Sequence, residues 1–256
     1  MPAISLSGRS YFYEDVGEGT PLLLLHGFPF DARSYAPQLA NPPHGFRLLV
    51  PEHRGFGRSE FVPGVATMDA MAEDALALLD ALKLDAAVVG GVSMGGYVAI
   101  ALTRLDPGRV RGLVLIDTQS TPDDDAGQQR RENVARDVEA HGIGALVDGL
   151  LPKLTLPTAP AHVRAELEKM MRAQNPLAVA AASRGMAARA DGKDILSRYA
   201  GPCRVIVGEY DAITPVEKAR QLQSLVQGAT LHVIPEAAHL PNLEQPALFA
   251  AVLQGD

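Results

Sequence analysis

Short apolar runs alternate along the chain with longer segments of helical periodicity. Most of the runs are aliphatic, as in strands that are buried on both faces of a sheet. The clearest runs are residues 22–26, 47–50, 87–90, 110–116, 204–208 and 230–234, and two earlier candidates lie at 4–6 and 9–14. Strands that alternate with helices predict an α/β protein with a parallel sheet and helices on its faces.

Residues 68–84 show the helical pattern most clearly, and Asp69 is available as the N-cap. The apolar positions of this segment fall on one helical face: Met71, Ala75, Leu78, Leu79 and Leu82. Similar helices are predicted at 95–105, 215–226 and 244–253.

The alternation stops between about residues 118 and 196, where no convincing strand is found. This stretch opens with a polar run and continues as helix-like segments rich in alanine and arginine, and it is too long for an ordinary loop. We therefore predict a helical cap at 120–195, inserted into a core of residues 1–119 and 196–256. The alternative is a set of ordinary helices that cover the sheet.

The composition, with 47% hydrophobic and 21% charged residues among 256, is that of a folded soluble protein. A net charge of −7 argues against nucleic acid and anionic membrane surfaces as partners. The single cysteine, Cys203, allows no intrachain disulfide and no cysteine metal cluster. Residues 1–8 do not resemble a secretory signal, and the apolar runs fall short of the roughly 20 residues of a membrane helix. These features predict a cytoplasmic protein.

The segment Gly91-Val92-Ser93-Met94-Gly95 lies between a predicted strand and a predicted helix. This is the setting of a nucleophile elbow, in which the serine occupies a strained strand-to-helix turn. The flanking glycines let the backbone close up, and the turn exposes the hydroxyl group. Ser93 is therefore the candidate nucleophile.

A serine hydroxyl needs a base to remove its proton, and that base needs a carboxylate to orient it. Asp211 and His239 each follow a predicted strand, and both would lie on loops at the carboxyl ends of the sheet. The order Ser93, Asp211, His239 is the order expected for a serine elbow on such a sheet. Asp117, directly after the strand at 110–116, is the alternative acid.

Several motifs occur together in one order: His26-Gly27-Phe28-Pro29, Arg54-Gly55-Phe56-Gly57-Arg58-Ser59, the Ser93 elbow, Gly208-x-x-Asp211, and His239-Leu-Pro-Asn-Leu-Glu244-Gln-Pro246. On these motifs the chain resembles the α/β-hydrolase superfamily over nearly its whole length. The resemblance is closest to the cap-bearing branch of small esterases, 3-oxoadipate enol-lactonases and cofactor-free perhydrolases. One departure is Ala238, where many members have glycine before the catalytic histidine.

The resemblance implies an α/β-hydrolase fold, with a mostly parallel eight-stranded sheet flanked by helices and an inserted helical cap. It implies an oxyanion hole formed by the backbone N–H groups of Phe28 and Met94. Phe28, Ile213 and Leu240 are the candidate substrate-lining side chains.

The implied activity is that of a serine hydrolase that cleaves a small carboxylic ester or lactone, with no cofactor and no metal. With hydrogen peroxide as acceptor the same site would be a perhydrolase, and an acyl-carrier methyl ester is another substrate option. A non-catalytic binding protein on the same fold is the alternative from a different class. The oligomeric state is left open, and a homodimer is one option.

Other polar residues have simpler interpretations. We interpret His26 as a structural histidine that braces the loop of Phe28. His53 is interpreted as a solvent-facing loop residue, the alternative being that it reaches the site. The acidic run Asp123 to Asp125 lacks metal-ligand spacing and is interpreted as a solvated loop. An anionic substrate would need a cap arginine in the pocket, although most are expected to face solvent: Arg130, Arg131, Arg164, Arg172, Arg184 and Arg189.

Overall fold

A computed structural model describes residues 3–6 and 8–255, and its centre is an eight-stranded sheet. The strands are β1 (Ala3–Leu6), β2 (Arg9–Gly17), β3 (Thr20–Leu25), β4 (Phe46–Pro51), β5 (Ala87–Val92), β6 (Val110–Ile116), β7 (Cys203–Gly208) and β8 (Thr230–Ile234). Their spatial order is β1-β2-β4-β3-β5-β6-β7-β8. The pairs β1–β2 and β2–β4 are antiparallel, and β4, β3 and β5 to β8 are parallel to one another. The prediction of a mostly parallel eight-stranded sheet is confirmed.

The helices are α1 (Ala36–Ala40), α2 (Met68–Ala81), α3 (Met94–Leu105), α4 (Asp125–His141), α5 (Gly144–Leu154), α6 (Ala161–Arg172), α7 (Pro176–Ala187), α8 (Lys193–Arg198), α9 (Val216–Leu225), α10 (Pro241–Glu244) and α11 (Pro246–Gln254). Helix α3 lies against β3, β5 and β6 and also packs on α2, while α9 packs on β7 and β8. Residues 22 to 25 of β3 are fully buried, because helices cover the parallel strands on both faces. None of the described helices is both long enough and apolar enough to cross a membrane.

Two helix boundaries differ from the predictions. The N-cap of α2 is Thr67 and not Asp69: its side chain accepts a hydrogen bond from the N–H of Ala70 at 3.1 Å. Asp69 instead lies in the first turn, where a carboxylate favours the positive end of the helix dipole. The helix predicted at 244–253 is two helices, α10 and α11, because Pro246 disfavours helical geometry at Gln245.

Helices α4 to α8 follow β6 and precede β7, and we call them the insertion. Its best-packed pair is α4 with α7. The insertion occupies the stretch in which the sequence predicted a helical cap, and the exact division at 120–195 stays a prediction.

Candidate active site

Ser93 lies alone between β5, which ends at Val92, and α3, which begins at Met94. Its φ of 55° and ψ of −114° are a strained conformation for a residue with a side chain. A Cβ atom on Gly91 would lie 2.2 Å from the carbonyl carbon of Gly95, and a Cβ on Gly95 would lie 2.1 Å from the oxygen of Leu25. Both glycines are therefore required for steric reasons, as the elbow interpretation assumes.

The turn is also held by groups on the side of β6, which the sequence did not reveal. The N–H of Ser93 donates to Ile116 O at 2.9 Å, and Thr118 Oγ1 donates to Ser93 O at 2.8 Å. A Cβ atom on Gly96 would lie 2.5 Å from Thr118 Oγ1, so this third glycine makes room for Thr118. These contacts fix the backbone of Ser93 and leave its side chain partly exposed.

Asp211 and His239 form a buried pair at the same edge of the sheet. His239 Nδ1 donates to Asp211 Oδ2 at 2.8 Å, and the two residues are only 2% and 4% exposed, His239 being the more buried. Asp211 comes from the loop after β7, and His239 comes from the loop after β8. The structure therefore brings together the two residues that the sequence selected as acid and base.

The loop after β7 prepares Asp211 to carry a negative charge. Its Oδ1 accepts from the N–H groups of Ile213 at 2.8 Å and Thr214 at 3.1 Å, and its Oδ2 also accepts from Thr214 Oγ1 at 2.5 Å. Burial opposes ionisation, but the hydrogen bonds from His239 and Thr214 outweigh it and lower the pKa of Asp211. Thr214 is a functional candidate that sequence reasoning missed.

Asp117, the alternative acid, is buried directly after β6 and does not hold the histidine. Its Oδ1 accepts from the N–H of Gly208 at 2.9 Å. One carboxyl oxygen of Asp117, one of Asp211 and a ring nitrogen of His239 lie within 4.8 Å of one another. Such a set could also hold a cation, but both oxygens of Asp211 are already satisfied by protein donors.

His26 leads from β3 into the loop that carries Phe28. Its Nδ1 donates to Gly27 O at 2.9 Å, and its Nε2 accepts from the N–H of His53 at 3.0 Å. Burial lowers the pKa of His26 to about 4, so the ring is neutral near pH 7. Both ring nitrogens form hydrogen bonds with main-chain groups, which fits the structural role predicted for this residue.

Phe28, on the loop after β3, and Met94, at the start of α3, follow neighbouring strands at one edge of the sheet. Leu25, at the end of β3, pairs with Gly91 of β5, so the two strands deliver their loops side by side. Met94 is the first residue of α3, and its N–H is among those that lack an acceptor within the helix. Ile213 is half-buried beside Asp211, and Leu240 is buried beside His239; the lining roles of Phe28, Ile213 and Leu240 stay predictions.

The interpretation of His53 as a solvent-facing residue is wrong. The side chain is fully buried, and its ring lies 4.3 Å from that of His26 between ring centroids. The loop after β4 carries both His53 and Phe56. The ring of Phe56 also packs against that of His26, so this loop is covered by the end of β3.

The acidic run at the start of the insertion is not simply solvated. Asp124 caps α4 by accepting from the N–H of Gly127 at 2.7 Å. Asp123 pairs with Arg131 at 3.1 Å and with Arg189 at 2.8 Å. Arg189 is buried over the ring of Tyr97, so it is not among the arginines of this segment that face solvent, as most were expected to do.

Most arginines of the insertion are neutralised by its own carboxylates. Ion pairs are formed by Arg130, Arg131, Arg172, Arg184 and Arg189. These cations are therefore held by protein partners, and an anionic substrate would have to compete with those partners.

Two side chains join the insertion to the loops of the site. Gln174, between α6 and α7, donates to Asp31 Oδ2 at 2.8 Å and accepts from the N–H of Gly57 at 2.9 Å. Glu244 of α10 accepts from the N–H of Leu156 at 2.7 Å and from that of Ala238 at 2.7 Å. The insertion is thus hydrogen-bonded to the segment that follows Phe28, and through Glu244 it is linked to Ala238, the residue before His239. No sequence signal pointed to Gln174, and Glu244 stood out only as part of the histidine motif.

The chain is similar to several known enzymes of ester and lactone chemistry. A thermophilic esterase from Thermogutta terrifontis, solved with malate bound, is 37% identical and superimposes with a TM-score of 0.95, covering 99% of this chain and 96% of that one. The enol-lactonase from Burkholderia xenovorans LB400 is 25% identical with a TM-score of 0.89, covering 98% of each chain. In sequence, 3-oxoadipate enol-lactonase 1 from Acinetobacter baylyi is 28% identical over 239 residues, which is 88% of this chain and 84% of that protein.

The sequence profile of the alpha/beta hydrolase fold matches residues 20–246. This match includes the elbow, the loop of Asp211 and the loop of His239. Because it spans most of the chain, the protein belongs to the alpha/beta hydrolase fold family.

Proposed function

We propose that this protein is a serine hydrolase that cleaves a small carboxylic ester or lactone through an acyl-enzyme. The observation that carries the proposal is the buried pair of His239 and Asp211, at the edge of the sheet where β5 presents Ser93. A strained, partly exposed serine and an oriented imidazole, both on loops at the same edge of one sheet, are the groups that nucleophilic acyl transfer requires.

In the proposed reaction, Ser93 Oγ attacks the substrate carbonyl and His239 Nε2 accepts its proton. The hydrogen bond from His239 Nδ1 to Asp211 fixes the tautomer that leaves Nε2 free for this step. His239 then returns the proton to the leaving alcohol, and a water molecule that it activates releases the acid.

Negative charge develops on the carbonyl oxygen in the tetrahedral intermediate. The N–H groups of Phe28 and Met94 are the proposed donors to this oxygen, each contributing about 3 kcal/mol. Because Phe28 acts through its main chain, its side chain remains available to line the acyl pocket with Ile213 and Leu240.

The similarity to an esterase and to enol-lactonases supports this substrate class. Five of the six arginines considered from the sequence are ion-paired, which favours an uncharged substrate at those positions, whereas Arg164 forms no ion pair with the described residues and stays available to a substrate carboxylate. Perhydrolysis and cleavage of an acyl-carrier methyl ester would use the same acyl-enzyme and stay predictions from the sequence.

The test is the initial rate on p-nitrophenyl esters of increasing acyl length and on uncharged lactones. We expect activity that falls with acyl length and drops by about 10⁴-fold or more in Ser93→Ala. Ser224→Ala, an exposed serine in α9, is the matched control and should retain wild-type rates. Equal rates in Ser93→Ala and wild type would remove Ser93 as nucleophile. A wild type that binds these compounds but cleaves none would favour a binding protein.

A further inference from the structure

The buried carboxyl group of Asp117 is not accounted for by the proposed reaction. Its side chain is 1% exposed, and the residue has a φ of 42°, in the left-handed region that a side chain makes unfavourable. Oδ1 accepts from the N–H of Gly208, but Oδ2 is buried and has no hydrogen-bond partner among the described residues. A buried polar atom left unpaired costs free energy, so this one calls for an explanation.

The groups around Asp117 offer it no permanent positive charge. Those that interact with it in the described part of the chain are the carboxyl groups of Asp211 and Glu244, the phenol of Tyr35 and the imidazole of His239. Asp211 comes from the loop after β7, Glu244 from α10, Tyr35 from the turn after β3, and His239 from the loop after β8. Ionising both of two buried carboxyl groups whose oxygens lie within 4.8 Å of each other is strongly unfavourable, which favours a proton on one of them.

The hydrogen-bond donors decide which carboxyl group retains the proton. Asp211 accepts from two backbone N–H groups, the hydroxyl of Thr214 and the ring of His239. In the part of the chain that the structure describes, Asp117 accepts only from the N–H of Gly208. Each donor stabilises the ionised form, so the negative charge belongs on Asp211 and the proton on Asp117.

We propose that Asp117 is a protonated carboxylic acid whose hydroxyl donates a hydrogen bond to the carboxylate of Asp211, which makes it a positioning residue for the acid of the triad. The added proton satisfies Oδ2 of Asp117 and gives Asp211 a further donor. Burial and the neighbouring Asp211 both raise the pKa of Asp117, in agreement with this assignment. The consequence for catalysis rests on the proposed function, whereas the protonation state does not.

The protonation state is tested without activity by infrared difference spectroscopy at pH 7. A buried protonated carboxyl group has a carbonyl band that a carboxylate lacks. We expect this band in the wild type and its loss in Asp117→Asn. Asp74→Asn is the matched control, because Asp74 is buried but paired with Arg54 at 2.7 Å, and this variant should retain the band. A wild type without the band, or an Asp117→Asn variant that retains it, would overturn the proposal.

The positioning role is tested by the pH dependence of kcat/KM for Asp117→Asn and Asp117→Leu. Asparagine can accept from Gly208 and donate to Asp211, so we expect kcat/KM within about fivefold of wild type and an acid limb within about 0.3 pH units. Leucine cannot donate, and we expect a loss of about 10- to 100-fold. If Asp117 were charged, Asp117→Asn would remove a negative charge near the imidazolium and move the acid limb of kcat/KM to lower pH by about one unit. That shift would contradict the proposal, as would an Asp117→Leu variant that folds and matches Asp117→Asn in kcat/KM.

Discussion

The two halves of the proposed active site, Ser93 and the pair of Asp211 and His239, are held in place by different means. Ser93 is positioned by its backbone: three glycines remove side chains that would collide with neighbouring atoms, and main-chain hydrogen bonds hold the turn. Asp211 and His239 are held by hydrogen bonds to their side chains, and Asp211 accepts from two backbone N–H groups, from the hydroxyl of Thr214 and, as we propose, from that of Asp117.

This difference determines what a substitution does in each half. A change of glycine at the elbow acts on the backbone that connects β5 to α3, so it should affect folding and activity together. A change around Asp211 removes a hydrogen bond or a charge while the backbone stays in place, so it should affect activity more than stability. The following variants test this contrast.

Asp211→Asn should have the largest effect on turnover. The amide keeps the shape of the side chain but favours the wrong tautomer of His239, and we expect kcat to fall by about 10⁴-fold. Asp117→Asn should be much milder in the same ester assay. The reverse ranking would transfer the acid role to Asp117.

Gly95→Ala should act on the fold. Its Cβ would lie 2.1 Å from Leu25 O, a backbone atom that can move only with β3, so we expect a loss of about 3 kcal/mol or more in the free energy of unfolding. Gly149→Ala in α5 is the matched control, because nothing lies within 4 Å of its Cβ and alanine favours a helix. Denaturant unfolding of both variants gives the comparison, and equal midpoints would contradict steric control of the elbow.

Thr214→Val should have the smallest effect. It removes one hydroxyl donor from Asp211 and keeps the shape of the side chain, so we expect kcat to fall by about 10-fold, equivalent to about 1.4 kcal/mol. Thr214→Ser restores the hydroxyl and should recover most of the rate. A valine variant with the wild-type kcat would show that this hydrogen bond does not support the acid.

The contrast between the halves also explains what the sequence could predict. The elbow could be predicted because it depends on a local pattern, with glycines at fixed sequence distances from a serine between a strand and a helix. The central strands could be predicted because a strand that is buried on both faces needs aliphatic side chains at consecutive positions. Asp211 could be selected because it follows such a strand, and His239 because it follows β8, an edge strand that is only partly buried.

Contacts between distant parts of the chain left no such signal. Gln174 contacts Asp31 across 143 positions, and nothing in its local sequence distinguishes it from a surface glutamine. His53 is buried against His26, which comes from the end of β3. The predicted N-cap of α2, Asp69, lies two positions after the observed one, because Thr67 and Asp69 both have side chains that can cap. In each case the deciding partner is supplied by the tertiary fold or by backbone geometry.

The central claim is that Ser93, His239 and Asp211 act as one unit, and covalent labelling tests it most directly. The protein is treated with a p-nitrophenyl alkylphosphonate, the adduct is located by mass spectrometry, and the rate of labelling is measured. We predict a single adduct on Ser93, none in Ser93→Ala, and labelling slowed by about 100-fold or more in His239→Ala and Asp211→Asn. An adduct on another residue, or labelling of Ser93 at the wild-type rate in His239→Ala, would contradict the account.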